Sequence, residues 1–238
     1  MNTILHIDTS GPDALIGISQ DLKIIASKQN SQSNTHGEFV QAGVDELFRD
    51  NAMQLKDIDA IGVTMGPGSY TGLRVGLASA KGLAFALNKP LIGLSTLTLL
   101  AKAAVGHLTA TENPLVNEKQ LQVFSMIDAR RMEIFGAIYN SSLEYLAAEK
   151  AMILDEALLL ALLSNGPLIC IGSGVAKTKI LTQHADFQNS SPLFLDYSYT
   201  IHDMAALAMI KFKAADFEDL AYSGPAYLKD YYQKPLIK

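Results

Sequence analysis

Residues 66–88, GPGSYTGLRVGLASAKGLAFALN, decide how this chain folds. The apolar run before them, AIGVTM at 60–65, is short and uninterrupted and stops at Gly66 and Pro67, which marks a buried strand. A turn of glycine and proline then feeds a helix with almost no charge. Gly72, Gly76, Ala80 and Ala84 recur at steps of four and so share one face. Leu73, Leu77 and Leu83 occupy neighbouring faces, together with Val75 and Leu87. Each glycine inside a helix costs roughly 1 kcal/mol relative to alanine. The sequence therefore implies that another backbone comes close, and that the helix is packed tightly on more than one side.

The turn has two readings. Gly66, Gly68 and Gly72 would suit a phosphate, because free amides and a positive dipole end meet at a helix N-terminus. Yet the spacing is not G-x-G-x-x-G, no Gly-Lys-Ser/Thr follows, and Pro67 removes one amide. A tight turn that sets the angle of a close-packed helix is the preferred reading.

Around this stretch the chain shows signs of duplication. ILHID, a turn at Thr9–Asp13 and ALIGIS form two strands near the start. VFSMID, a short segment at Ala129–Met132 and EIFGAIY repeat the pattern past the middle. Both first strands end in Ile-Asp (Asp8, Asp128), both second strands carry a glycine (Gly17, Gly136), and each pair precedes a third strand-like run and a helix. Two similar mixed α/β halves follow from this, divided by the polar segment 108–120 with Pro114. The expected lobes are 1–105 and 106–238. Thr35-His36-Gly37-Glu38 matches a capping box, followed by an amphipathic stripe of Phe39, Val40, Val44, Leu47 and Phe48. Further helices are expected from about Ser95, over 155–164, after Gly174 and over 203–215.

As a string, GPGSYTGLRVGLASAKGLA closely resembles the bacterial TsaB (YeaZ) family. The resemblance continues through NKPLIGLSTL (88–97), ILHIDTS (4–10), NTHGEF (34–39), DARR (128–131) and GPAYLKD (224–230), so it spans the chain and is densest before residue 102. It implies an α/β fold of two similar actin-like (ASKHA, ribonuclease H-like) lobes, each a mixed sheet with helices. It also implies a non-catalytic accessory subunit of the machinery that places threonylcarbamoyl on N6 of tRNA adenosine. The implied partners are the catalytic TsaD subunit and the ATPase TsaE, with a homodimer in their absence and tRNA reached only through the complex. Members of the family pair through their first two helices. That assigns partner contacts to Phe39, Val40, Val44, Leu47, Phe48, Gly72, Val75, Gly76, Ala80 and Ala84.

Composition agrees with a compact protein of a reducing compartment. Of 238 residues, 49% are hydrophobic and 18% charged, which excludes disorder and leaves room for real cores. The one cysteine, Cys170, sits in the apolar run LICIG and reads as a core thiol. The start MNTILHIDTS lacks the basic and long apolar regions of a signal peptide, and no apolar stretch reaches the length of a membrane span. The expectation is a cytoplasmic protein without a membrane association. A net charge of −5 opposes direct gripping of nucleic acid, since only isolated basic groups appear, Arg130–Arg131 and the lysines of 229–238.

Candidate chemistry is thin. Asp8 ends the first strand, where actin-like enzymes keep a metal–phosphate carboxylate; the alternative is a cap on the Thr9–Ser10 turn. Ile171-Gly172-Ser173-Gly174 lies between a strand and a helix, as a second phosphate loop would. Any strand-to-helix turn needs the same glycines, and that reading is favoured. Asp8, Gly172 and Gly174 are accordingly the candidate nucleotide residues of a vestigial cleft, with no cofactor required. The histidines 6, 36, 107, 184 and 202 include no pair three to five residues apart, so no metal site is assigned. His6 reads as a satisfied core or surface residue, His36 as exposed. There is no Gly-x-Ser-x-Gly elbow, and no catalytic residue is assigned. The catalytic TsaD relative carries a His-x-x-x-His metal pair after its corresponding helix; here Thr96 and Leu100 stand at those places. A partner subunit is preferred on this ground. The alternative is a small actin-like ATP-dependent phosphotransferase, and a metallopeptidase lacks its histidines.

Overall fold

The computed structural model describes residues 1–32, 35–183, 187 and 191–229; His184 and the lysines at 234 and 238 lie outside the described residues. The first half forms β1 (Thr3–Asp8), β2 (Ala14–Gln20), β3 (Lys23–Asn30), α1 (His36–Asp50), β4 (Ala60–Gly66), α2 (Tyr70–Leu87), β5 (Leu91–Ser95) and α3 (Thr96–Ala110). The second forms β6 (Gln122–Asp128), β7 (Glu133–Tyr139), β8 (Tyr145–Ile153), α4 (Glu156–Ser164), β9 (Leu168–Ile171), α5 (Val175–Leu181), β10 (Leu193–Leu195) and α6 (Ile201–Lys213). The sheet orders are β3-β2-β1-β4-β5 and β8-β7-β6-β9-β10, the same arrangement twice. In each, a hairpin of antiparallel strands is extended by two parallel ones. Asp8 and Asp128 occupy equivalent strand ends, and each accepts a hydrogen bond from the amide two residues on. The duplication read from the paired Ile-Asp hairpins is thus a duplication of topology.

Strand alternation sends Leu5 and Ile7 of β1 to one side of the first sheet, where α1 and α2 cover it, and Ile4 to the other, where α6 packs. The two halves are interleaved. Helix α3 buries Leu97, Leu100, Ala101 and Ala104 in the core of the second sheet, while α6 brings Ile201, Met204 and Ala208 onto the first. The division at 105/106 falls inside α3.

Helix α1 begins without the expected capping box. The Thr35 hydroxyl donates to the Gln32 carbonyl (3.0 Å) and accepts from the Asn30 amide (2.9 Å), so the preceding loop uses it and it makes no bond to the helix. The box instead occurs at α6, where Thr200 and Asp203 satisfy each other's amides. Cys170 is fully buried, and burial pushes its thiol well above the ordinary range.

His6 is fully buried on β1 between Gly17 and Gly62 of the neighbouring strands. Its Nε2 bonds the Ser19 hydroxyl at 2.8 Å, and its Nδ1 has no partner among the described residues. Burial lowers its pKa from 6.5 to about 3. Between those values the unfolded chain takes up a proton that the folded chain refuses. The stability is therefore complete above pH 6.5 and declines as the pH falls toward 3, by about 1.4 kcal/mol per unit. His6→Gln is expected to remove this slope. Urea unfolding at pH 7 and pH 4.5 should show wild type losing about 2.5 kcal/mol more than the variant; equal losses would contradict the assignment.

Candidate functional site in the inter-lobe cleft

A cleft of about 1010 Å³ separates the lobes. Ser10, Gly11, Pro12, His36 and the turn from Gly68 to Gly72 form one wall; Asp128, Gly172, Ser173 and Lys179 form the other, and Thr96 and Leu100 belong to the lining. The first residues of α1, α2, α3 and α5 all face it, so four positive dipole ends converge on one space. Two carboxylates in the lining are each paired with a lysine. Asp128 pairs with Lys177 at 2.8 Å, and that hydrogen bond holds its pKa below the usual range against partial burial. Asp196 pairs with Lys179 at 2.5 Å.

The turn read from the sequence is stitched to the end of β1. Ser69 Oγ caps α2 by accepting from the Gly72 amide, and the Ser69 amide donates to the Ser10 carbonyl at 2.7 Å. The Thr9 hydroxyl donates to the Gly72 carbonyl at 2.7 Å. A Cβ on Gly72 would stand 2.0 Å from the Thr9 carbonyl oxygen, and one on Gly76 2.2 Å from Thr9 Oγ1. The close backbone expected beside α2 is therefore the chain's own Thr9–Ser10 turn. These contacts give the glycines of the turn a packing role.

Asp8 does not line the cleft. It is 5% exposed and accepts from the Ser10 amide (2.8 Å), the Thr64 hydroxyl (2.7 Å) and the Tyr199 hydroxyl (2.7 Å). Burial, and then the Asp8 charge, raise the Tyr199 phenol well above its ordinary pKa. The carboxylate works as the hub of a buried network between β1, β4 and the segment before α6. Of the other two candidate nucleotide residues, Gly172 lines the cleft with φ +101°, a conformation that favours glycine, and its Cβ would meet the Met126 carbonyl at 2.2 Å. The Gly174 amide is used by the same carbonyl at 3.2 Å. Both glycines answer to the approach of β6. His36 is also a correction: it is buried, with Nε2 on the Pro12 carbonyl at 3.1 Å.

The residues assigned to partner contacts mostly face inward. Val40, Val44, Leu47, Phe48, Ala80 and Ala84 are buried against the first sheet, with Phe39 packed at their edge. Gly72 and Gly76 face Thr9, and Val75 lies beside Gly37 at the cleft. The apolar stripe of α1 is consumed by its own sheet. What α2 turns outward is a second small-residue row, Ala78, Gly82 and Ala86, with Thr71, Arg74 and an 81% exposed Phe85. The steps of four from 78 to 86 were present in the sequence, hidden beside the longer row from 72 to 84. Among the described residues no group of three or more His, Cys, Asp or Glu side chains could hold a metal, and no helix is long and apolar enough to cross a membrane.

A doubled five-stranded sheet with interleaved helices and a cleft between its halves defines a two-lobed α/β protein of the actin-like kind. The solved structure of YeaZ from Pseudomonas aeruginosa shares that fold, with a TM-score of 0.74 at 23% identity over 96% of this chain and 100% of that one. The family model described as "TsaD: tRNA N6-adenosine threonylcarbamoyltransferase" matches residues 23–236. A Bacillus subtilis protein named "tRNA threonylcarbamoyladenosine biosynthesis protein TsaB" is 30% identical over 71% of this chain and 70% of its own length. An uncharacterized protein of Mycobacterium tuberculosis is 33% identical over 58% of this chain; the match spans 60% of that relative's length. The chain belongs to the TsaB (YeaZ) family.

Proposed function

We propose that this chain is the non-catalytic partner subunit of a tRNA threonylcarbamoyladenosine-forming complex, supporting a catalytic TsaD subunit. The observation that carries the reading is the pair Thr96 and Leu100. Both line the cleft one helical turn apart, in the places where the resemblance puts the metal-binding histidines of TsaD. A threonine hydroxyl and a leucine methyl do not hold iron or zinc, so the residues present do not fit that metal. The phosphotransferase alternative is weakened in the same way, because the buried Asp8 carboxylate already accepts from three donors and is not part of the cleft lining.

The partner-facing surface in this reading is the outward side of α1 and α2. Ala78 and Gly82 let a neighbouring helix approach closely, since a Cβ on Gly82 meets nothing within 4 Å. Phe85 supplies an exposed aromatic anchor. The outer face of α1 shows Glu38, Asp45 and Asp50 beside a single Arg49, whereas α2 carries Arg74 and Lys81 and no acid, so the outward side of one helix is net acidic and that of the other basic. The same surface serves a second copy of the chain when TsaD is absent.

The test is the mass in solution of the purified chain mixed with TsaD from the same organism. A complex is expected, and Phe85→Asp should weaken it about thirtyfold or more without lowering the thermal midpoint. Wild-type binding by Phe85→Asp would move the interface elsewhere; no complex with wild type would reject the partner role.

A further inference from the structure

We propose that residues 216–229 form a strap that detaches as a unit, and that its clamp on Arg74 couples the outer face of α2 to the second lobe. The segment leaves α6 and meets the edge of the first sheet, where the Glu218 amide donates to the Leu91 carbonyl at 2.8 Å. It then runs beside α2, with Lys81 Nζ on the Ser223 carbonyl at 2.9 Å, and over the end of β4, with the Ala226 amide on the Met65 carbonyl at 2.8 Å. Arg74 Nε donates to the Tyr227 hydroxyl at 2.8 Å. The Arg74 guanidinium lies 4.0 Å from the Tyr70 ring centre and 5.9 Å from that of Tyr227, and the two rings are 5.5 Å apart. The last described residue, Lys229, reaches Glu133 of β7 at 2.5 Å.

These holds are separate, shallow and mostly wet. Tyr222 is 89% and Tyr227 50% exposed; Leu220 and Leu228 pack partly against the cores, and Phe217, itself 41% exposed, meets the Phe212 ring at 5.9 Å. Segments with few buried apolar contacts and exposed hydrogen bonds open at lower free energy than the fold around them. The clamp is the densest hold, one hydrogen bond joined by two cation–aromatic contacts. Detachment frees Arg74 and Lys81, the two basic residues of α2, and in the same event breaks the tie to Glu133. Uncovering one side of α2 and loosening the contact with the second lobe are thus one motion.

Residue-resolved hydrogen exchange on the full chain tests this. Tyr227→Ala should speed exchange of the Glu218 and Ala226 amides together by about tenfold, while the β1 amides keep their wild-type rates. Glu133→Gln, which touches only the far anchor, should speed Ala226 by a smaller factor. Should Tyr227→Ala also weaken the whole fold, Tyr227→Phe keeps the ring, removes the bond to Arg74 and gives the same comparison. Unchanged strap amides in the Tyr227 variants, or strap amides that exchange only with β1, would overturn the detachable unit. No response of Ala226 to Glu133→Gln would overturn the coupling to the second lobe.

Discussion

Gly72→Ala is expected to destabilise the fold by about 3 kcal/mol or more, an unusual cost for one methyl group. The added carbon would sit 2.0 Å from the Thr9 carbonyl oxygen. That oxygen belongs to backbone at the end of β1, and Thr9 is itself held by its bond to the Gly72 carbonyl, so neither side can yield cheaply. Gly82 lies in the same helix and supplies the control. Its Cβ direction is open, and Gly82→Ala should gain about 0.5–1 kcal/mol from helix propensity alone. Urea unfolding of the two variants at constant m reads both numbers. Gly76→Leu belongs with Gly72, because Thr9 Oγ1 stands 2.2 Å from its Cβ direction; it should damage the fold before it affects any association. A Gly72→Ala protein as stable as wild type would contradict the packing of α2.

Asp8→Ala should cost about 4 kcal/mol, because it strands three donors in a buried place. The Ser10 amide, the Thr64 hydroxyl and the Tyr199 hydroxyl all end on this carboxylate. Asp8→Asn keeps one acceptor oxygen for Ser10 and Thr64 and should cost less, about 1–2 kcal/mol. The order of the two variants separates a structural hub from a ligand-binding carboxylate. A residue kept for a ligand is strained in the free protein, so its removal would leave stability unchanged or raise it. A gain in thermal midpoint for Asp8→Ala would therefore contradict the account.

Much of the fold was legible in residues of fixed spacing. The run 60–65, the turn at Gly66–Gly68 and the paired Ile-Asp endings are local signals, and each became the expected element. The interleaving was not legible. Only a helix from about Ser95 is read from the sequence; Leu97, Leu100 and Ala104 share one buried face of it, and nothing in such a spacing says which of two sheets it will cover. The same limit explains the partner residues. Val40, Val44, Leu47 and Phe48 announce an apolar stripe, but a stripe consumed by a sheet and a stripe left for a partner look alike in sequence. Thr35 shows how a short motif is overridden when a neighbouring loop claims the same hydroxyl. The Asp8 network depends on Tyr199, nearly two hundred residues away, which no local pattern reveals.

The central claim is that this chain supports tRNA modification without performing it. Its most direct test is reconstitution with an unmodified tRNA transcript, an L-threonylcarbamoyl adenylate source and the TsaD and TsaE proteins of the same organism. Threonylcarbamoyl transfer to adenosine N6 is expected when the chain is added to the other components, and none when the chain is the only protein present. Transfer by the chain alone, or a full rate from the other proteins without it, would contradict the account.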